Sequence, residues 1–177
     1  MRKALLGALI CIISFSFFFS SVSVAQRVTL NQDKVEYNLP YPGILPGHPL
    51  FFLKNLRDNI LEFTTRDTMK KAELYLLLSD KRVAMATLLG KSGKEKQAMA
   101  AFLEGEQYAL KIPPLIAISK QQGVSPSGDF VQRLKLSNAK HREVAESFLT
   151  QFPQGQSESI SQILRLNDEM KKKIKPL

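Results

Sequence analysis

Cysteine occurs once in the 177 residues, as Cys11, and histidine twice, as His48 and His141. A single thiol cannot close a disulfide within the chain. Cys11 follows Ala8-Leu9-Ile10 inside an apolar run rather than the small residues that precede a lipid-attachment cysteine. Four residues to either side of His141 stand Ser137 and Ala145, so the helical spacing of two histidines around a glutamate is missing. Nucleophile-elbow, phosphate-loop and dinucleotide-binding motifs are missing as well, and no acidic pair stands in an apolar setting. No metal, no cofactor and no enzymatic activity are therefore expected. One spacing keeps a residual alternative open. Ser137 and Lys140 stand at the serine–x–x–lysine interval that puts a hydroxyl and an amine on one helix face, as in a serine/lysine hydrolase, although the companion motifs are absent.

What is present begins with the leader "MRKALLGALICIISFSFFFSSVSVAQ". Arg2 and Lys3 precede an apolar run from Ala4 to Phe19, and Ser23-Val24-Ala25 offers small residues before a cut after Ala25. This is the layout of a secretory signal peptide over residues 1–25. Export to a periplasm, cell surface or extracellular space is expected, with an uncleaved membrane anchor as the alternative. The run is short for a full span, which needs ~20 apolar residues. Gln26–Leu177 then leaves about 150 residues, enough for one domain with a real core. The whole chain carries a formal charge of +9, which loss of Arg2 and Lys3 would lower by two. That balance favours anionic surfaces without choosing among lipid, polymer and nucleic acid.

Residues 26–48 read as an extended arm followed by a proline-rich lead. Pro40, Pro42, Pro46 and Pro49 each push the preceding residue out of the helical region. Pro49 is expected at the first position of a helix, where its missing N–H has no partner to lose, and His48 beside it is expected to cap or pack there. From Leu50 the apolar residues fall at 50, 53, 56, 60 and 63, one face of a helix. Ile44, Leu45, Leu50 and Phe51 are expected to pack the lead on its own bundle, the alternative being a proline-rich ligand for an aromatic groove. A second helix starts near the capping candidates Thr64, Thr65 and Asp67 and stops at Gly90. A third spans about Lys94 to Lys111 before Pro113-Pro114, with a further helical turn or two after it. A fourth opens with Ser125 capping and Pro126 at its first position. A fifth, beyond Gln154–Ser157, carries Ile160, Ile163, Leu164, Met170 and Ile174. With no firm strand, the expected fold over residues 49–177 is all-α, an antiparallel bundle of four to five helices behind an extended proline-rich lead.

Two groups of charges stand out. Lys54, Arg57 and Asp58 on the first helix and Glu73, Asp80, Lys81 and Arg82 on the second could pair if the two form an antiparallel hairpin, with Lys54, Arg57, Glu73 and Arg82 the candidates for structural ion pairs, against the plainer reading of a solvated face. Lys171, Lys172, Lys173 and Lys175 suit a helix C-terminus, where carbonyls lack partners, and could also contact an anionic lipid or polymer.

The stretch "YPGILPGHPLFFLKNLRD", with "KKAELYLLLSDKRVAMA" after it, resembles a bacterial secreted helical domain family of unknown function. Its pattern is a Tyr-Pro-Gly-x-Leu-Pro-x-x-Pro-Leu opening, a Leu-Lys-x-x-Arg helix and a Lys-Ala-Glu-Leu helix. Here these are Tyr41 to Leu50, Leu53-Lys54 with Arg57, and Lys71 to Leu74 with Arg82. The likeness is good over Tyr41–Leu89, weak beyond it, and broken at Pro113-Pro114. It implies export and an all-helical fold, and supplies no catalytic residue.

The leading expectation is an exported, non-enzymatic helical protein that binds or scaffolds an envelope component, either a protein or an anionic polymer or lipid surface. Two alternatives stand beside it: a periplasmic-type chaperone or stress adaptor with an exposed apolar face, and a polyanion or membrane-surface binder led by the C-terminal lysines. No specific nucleic-acid recognition is expected, and the oligomeric state stays open.

Overall fold

Asp67 opens one of the two longest described helices by accepting the Lys70 N–H on its side chain at 2.8 Å, which satisfies a donor that the first turn leaves without a partner. The computed structural model describes residues 34–152 and 155–177; the leader lies outside them. Among the described residues there are six α-helices and no strand: α1 Phe51–Thr64, α2 Thr68–Lys91, α3 Glu95–Leu110, α4 Ile112–Gln121, α5 Gly128–Gln151 and α6 Ser157–Ile174. Helices α2, α3, α6 and α5 close a ring in which each packs on the next.

Two apolar clusters give the directions: α2 and α3 form one antiparallel hairpin, α5 and α6 another, and the hairpins pack with α2 parallel to α5 and α3 parallel to α6. One joins the C-terminal half of α2 (Val83, Leu89), the start of α3 (Ala98, Phe102), the end of α5 (Val144, Phe148) and the start of α6 (Ile160, Ile163). The other joins the opposite halves: Ala72 and Leu76 of α2, Tyr108 of α3, Ile112 and Ile116 of α4, Phe130 and Leu134 of α5, and Met170 and Ile174 of α6. The expected all-α bundle is the observed fold, with the antiparallel pairing of its ring helices confined to the two hairpins.

Several boundaries differ from expectation, each for a local reason. Pro49 lies in the turn before α1, which begins at Phe51. The entry into α1 is held by His48, whose Nδ1 accepts the Leu50 N–H at 3.1 Å while its carbonyl accepts the Phe51 N–H at 2.9 Å. Gly90 does not stop α2; it lies inside the helix, where a Cβ would come within 3.2 Å of the Phe152 ring and 3.3 Å of the Phe148 ring. The chain turns instead at Gly93, with φ of 71°, a conformation that costs glycine little. Pro113 and Pro114 do follow the end of α3 at Leu110, as expected, but the helix that carries them is longer than a turn or two. They fall in the first turn of α4, a ten-residue helix of its own, where proline loses no hydrogen bond. Ser127, two residues beyond the expected Ser125, caps α5 by accepting the Phe130 N–H at 3.2 Å. Residues 34–43 carry no regular element and lie along the bundle as an arm.

Candidate functional site: a buried polar layer and an outward apolar helix

Between the two apolar clusters runs a layer to which each ring helix contributes polar side chains. These are Ser79 and Asp80 from α2, Glu106 from α3, Ser137, Asn138 and His141 from α5, and Asn167 from α6, all buried. His141 is its centre. Its Nε2 lies 3.0 Å from Asp80 Oδ1 and its Nδ1 3.0 Å from Glu106 Oε1. Burial works against a charged ring, but the hydrogen bonds to the two carboxylates outweigh it and raise the pKa to about 9. At neutral pH the ring is an imidazolium that donates both N–H groups. Ser137 Oγ donates to Asp80 Oδ1 at 2.6 Å. Tyr37 reaches in from the arm and donates its hydroxyl to Asp80 Oδ2 at 2.5 Å. Burial first, and then the Asp80 hydrogen bond, push the Tyr37 hydroxyl well above the usual tyrosine range. The arm gains a second tie where the Val35 N–H donates to Glu143 Oε2 at 2.7 Å.

Two further contacts set how closely the helices approach. The Asn138 and Asn167 amides each donate to the other's backbone carbonyl, at 3.1 and 2.9 Å, joining α5 to α6. Ser79 Oγ donates to the Gly105 carbonyl at 2.8 Å. A Cβ on Gly105 would stand 3.1 Å from the Ser79 carbonyl oxygen, so glycine is what lets α2 and α3 meet here.

Ser137, His141 and Glu106 stand in the order of a nucleophile, base and orienting acid. The Ser137 hydroxyl is committed to Asp80, however, and the whole group is sealed from solvent. Lys140 pairs with Glu143 at 2.7 Å, so the structure gives Ser137 and Lys140 separate partners. Among the described residues no cluster of three or more metal-ligating side chains could hold an ion. The layer lies wholly inside the bundle.

Helix α1 shows the reverse arrangement of polar and apolar surface. It turns Lys54 and Asp58 inward, both buried, and its apolar stripe outward. Phe63 is 83% exposed and Phe52 63%, with Leu53, Leu56 and Ile60 about half exposed between them. The expectation that Leu50 packs on the bundle is corrected, since it and Ile44 are exposed, while Leu45 and Phe51 do pack on the core. The reason is electrostatic. Arg82 on α2 is buried and needs acceptors. Its Nη2 lies 2.9 Å from Glu104 Oε1, 3.2 Å from Asn55 Oδ1 and 3.9 Å from Asp58 Oδ2. Asp58 also pairs with Arg57 at 2.6 Å and with Lys54 at 4.0 Å. Burial, and then the nearby Arg82 charge, lower Lys54 to about 8. At the other end of α1, Glu62 accepts from the Tyr75 hydroxyl at 2.7 Å and from Lys111 at 3.1 Å. Lys111 itself lies over the Tyr75 and Tyr108 rings. Burial opposes the Glu62 charge, yet these bonds outweigh it and hold the carboxyl below its usual range. The inward face of α1 is thus a row of charge contacts, and the apolar side is left to face out.

Of the four candidate pairing residues, Lys54, Arg57 and Arg82 converge on Asp58, while Glu73 is exposed and makes no ion pair among the described residues. The C-terminal lysines lie at the exposed end of α6, with Lys173 paired to Glu169 at 2.7 Å. Sequence reasoning missed Asp58 as the hub and Asp80 and Glu106 as the partners of His141.

The family model described as "Domain of unknown function (DUF5667)" matches residues 43–177. The chain belongs to this family. The match takes in all six helices of the DUF5667 domain, so it extends well past the stretch in which a family likeness is plainest by eye. No curated protein and no solved structure matches the chain. Among the described residues, no helix of the DUF5667 domain is long and apolar enough to cross a membrane.

Proposed function

We propose that this protein is a non-enzymatic binding module of the cell envelope that docks its component through the outward face of α1. The observation that supports the reading is the α1 stripe. Five large apolar side chains stand at least about half exposed on one helix, while the same helix spends its polar side on the bundle. Contiguous exposed apolar surface of this kind marks interaction sites. The apolar leader supports export. The sealed polar layer supports a role without chemistry, because the Ser137 hydroxyl and both His141 nitrogens are engaged by Asp80 and Glu106 and the group is closed to solvent, although Glu106 Oε2 has no partner.

A stripe along a single helix favours docking over the concave surface that a chaperone would use. The test is capture from solubilised envelope by immobilised protein, with Leu56→Asp and Ile60→Asp alongside the unaltered chain. Retention at high salt that both variants lose would uphold the reading. Equal retention by all three would refute it. A second reading rests on exposed Lys171, Lys172 and Lys175 at the end of α6: binding of an anionic polymer, with affinity that falls steeply as salt rises.

A further inference from the structure

The chemistry around α1 narrows the component that it docks, provided that α1 is the docking face proposed above. We infer that the outward face of α1 lies flat on the surface of an anionic lipid bilayer. The stripe runs the length of the helix, with the two most exposed rings, Phe52 and Phe63, at its two ends. The only charged side chain of α1 that stands exposed beside the stripe is the cation Arg57. Both acids of α1 are withdrawn from it. Asp58 is buried among Arg57, Lys54 and Arg82, and Glu62 is held by Tyr75 and Lys111.

A groove of about 320 Å³ runs beside the stripe. Its floor is Pro42, Gly43, Ile44, Leu50 and Leu53, and its charged lining is Lys54, Arg57 and Lys81 with no acid. An apolar floor edged only by cations is complementary to acyl chains beneath phosphate headgroups. An amphipathic helix with an apolar face and a basic edge binds in that plane, at the boundary between headgroups and chains.

Pairing with a second copy fits less well. A 14-residue helix is ~21 Å long and ~10 Å wide, so its footprint is on the order of 200 Å². A stable interface buries roughly 800 Å² on each partner. Two copies would also bring Arg57 against Arg57 between chains of formal charge +9. A bilayer demands neither shape complementarity nor an opposing anionic helix.

The chain contains no tryptophan, so Phe63→Trp makes a single reporter at the most exposed point of the stripe in the full-length protein. A Gln107→Trp chain, with the reporter at an exposed position of α3 away from the stripe, serves as the control. Both are mixed with vesicles of phosphatidylcholine alone and with phosphatidylglycerol added. The expected result is a blue shift and quenching by bromine-labelled lipid for the α1 reporter on anionic vesicles, no change for the control, and loss of the shift when Leu56→Asp is added to the α1 reporter. Vesicle binding with an unshifted α1 reporter would assign attachment to another part of the chain and overturn the inference. So would a concentration-dependent shift without vesicles, which would mean self-pairing. If the reporter stays silent while Leu56→Asp still abolishes envelope capture, the bilayer is excluded and the α1 docking face stands. If that substitution changes neither readout, both fall.

Discussion

His141 and Asp80, 61 residues apart in sequence, meet at 3.0 Å in the middle of the bundle, and Glu106 holds the opposite nitrogen of the ring at the same distance. One cation shared by two buried carboxylates makes this layer sensitive to proton loss.

The first prediction comes from the sign of that linkage. The His141 pKa rises from 6.5 to about 9 on folding, so the native state binds the proton more tightly. Its stabilisation is complete below pH 6.5 and is lost as pH rises through 9. The rise corresponds to on the order of 3 kcal/mol at ~1.36 kcal/mol per pH unit. Lys54 acts oppositely. Its folded value of about 8 lies below 10.5, so its contribution grows as pH climbs from 8 to 10.5. Urea unfolding of the unaltered chain and of His141→Gln at pH 6 and pH 9.5 separates the two. The variant should be weaker by about 3–5 kcal/mol at pH 6, where it leaves two carboxylates without their cation, and the gap should narrow at pH 9.5. A gap that is constant with pH would show that the ring is neutral.

Tyr37 carries the arm to the same carboxylate. Tyr37→Phe removes its hydroxyl from Asp80 Oδ2 and should cost about 0.5–1.5 kcal/mol, or somewhat more for a charged acceptor. Hydrogen exchange at residues 34–39 should rise while that of α2 stays close to its original rate. Unchanged exchange in the arm would contradict the tie.

Two glycines should respond differently to a methyl group. Gly105→Ala brings a Cβ against the Ser79 carbonyl oxygen at 3.1 Å, and backbone cannot step aside. A loss of about 1–3 kcal/mol is expected. Gly90→Ala meets only the rims of the Phe148 and Phe152 rings, which can tilt away, so the cost should be smaller. Thermal melts of both variants check the order; the reverse order would refute the account.

The reciprocal amides of Asn138 and Asn167 should behave as one unit. Each alanine substitution removes one donor and leaves one buried carbonyl without its partner, at about 1–3 kcal/mol. The two losses should not add, and a double-mutant cycle measures the coupling. Strict additivity would show two independent contacts.

Core and stripe should separate cleanly by stability. Leu56→Ser on the outward face of α1 should stay within about 0.5 kcal/mol of the unaltered chain. Leu89→Ala, buried in the core, should cost about 2–5 kcal/mol. A large loss at Leu56 would mean that the stripe is packed in solution.

The helices were legible because their signals are local. Asp67 is the cap that the apolar period from Met69 suggests, and Ile160, Ile163 and Met170 repeat at helical spacing in α6 and are buried. The boundaries at Gly90 and Ser125 were misplaced, while Pro113-Pro114 do mark the end of α3. Gly90 stays inside α2, packed against two phenylalanine rings that its own neighbourhood in sequence does not reveal, and of the two nearby serines it is Ser127 that reaches the Phe130 N–H. The polar layer was not legible. From His141 the spacing on its own helix reaches Ser137, but Glu106 lies 35 residues away and Asp80 61. For α1 the period revealed two faces without saying which one points inward. Buried Arg82, whose acceptors include Asn55 and Asp58, decides that.

Because the polar layer takes a member from each of the four ring helices, it indexes them against one another. Sliding any one helix by a turn, ~5.4 Å, would strand Asp80, Glu106 or His141 among the phenylalanines and leucines of the apolar clusters. The apolar clusters specify the alignment less sharply, since apolar contact is non-directional. The layer gives the bundle a single setting, in the way that one buried polar residue fixes the alignment of a coiled coil.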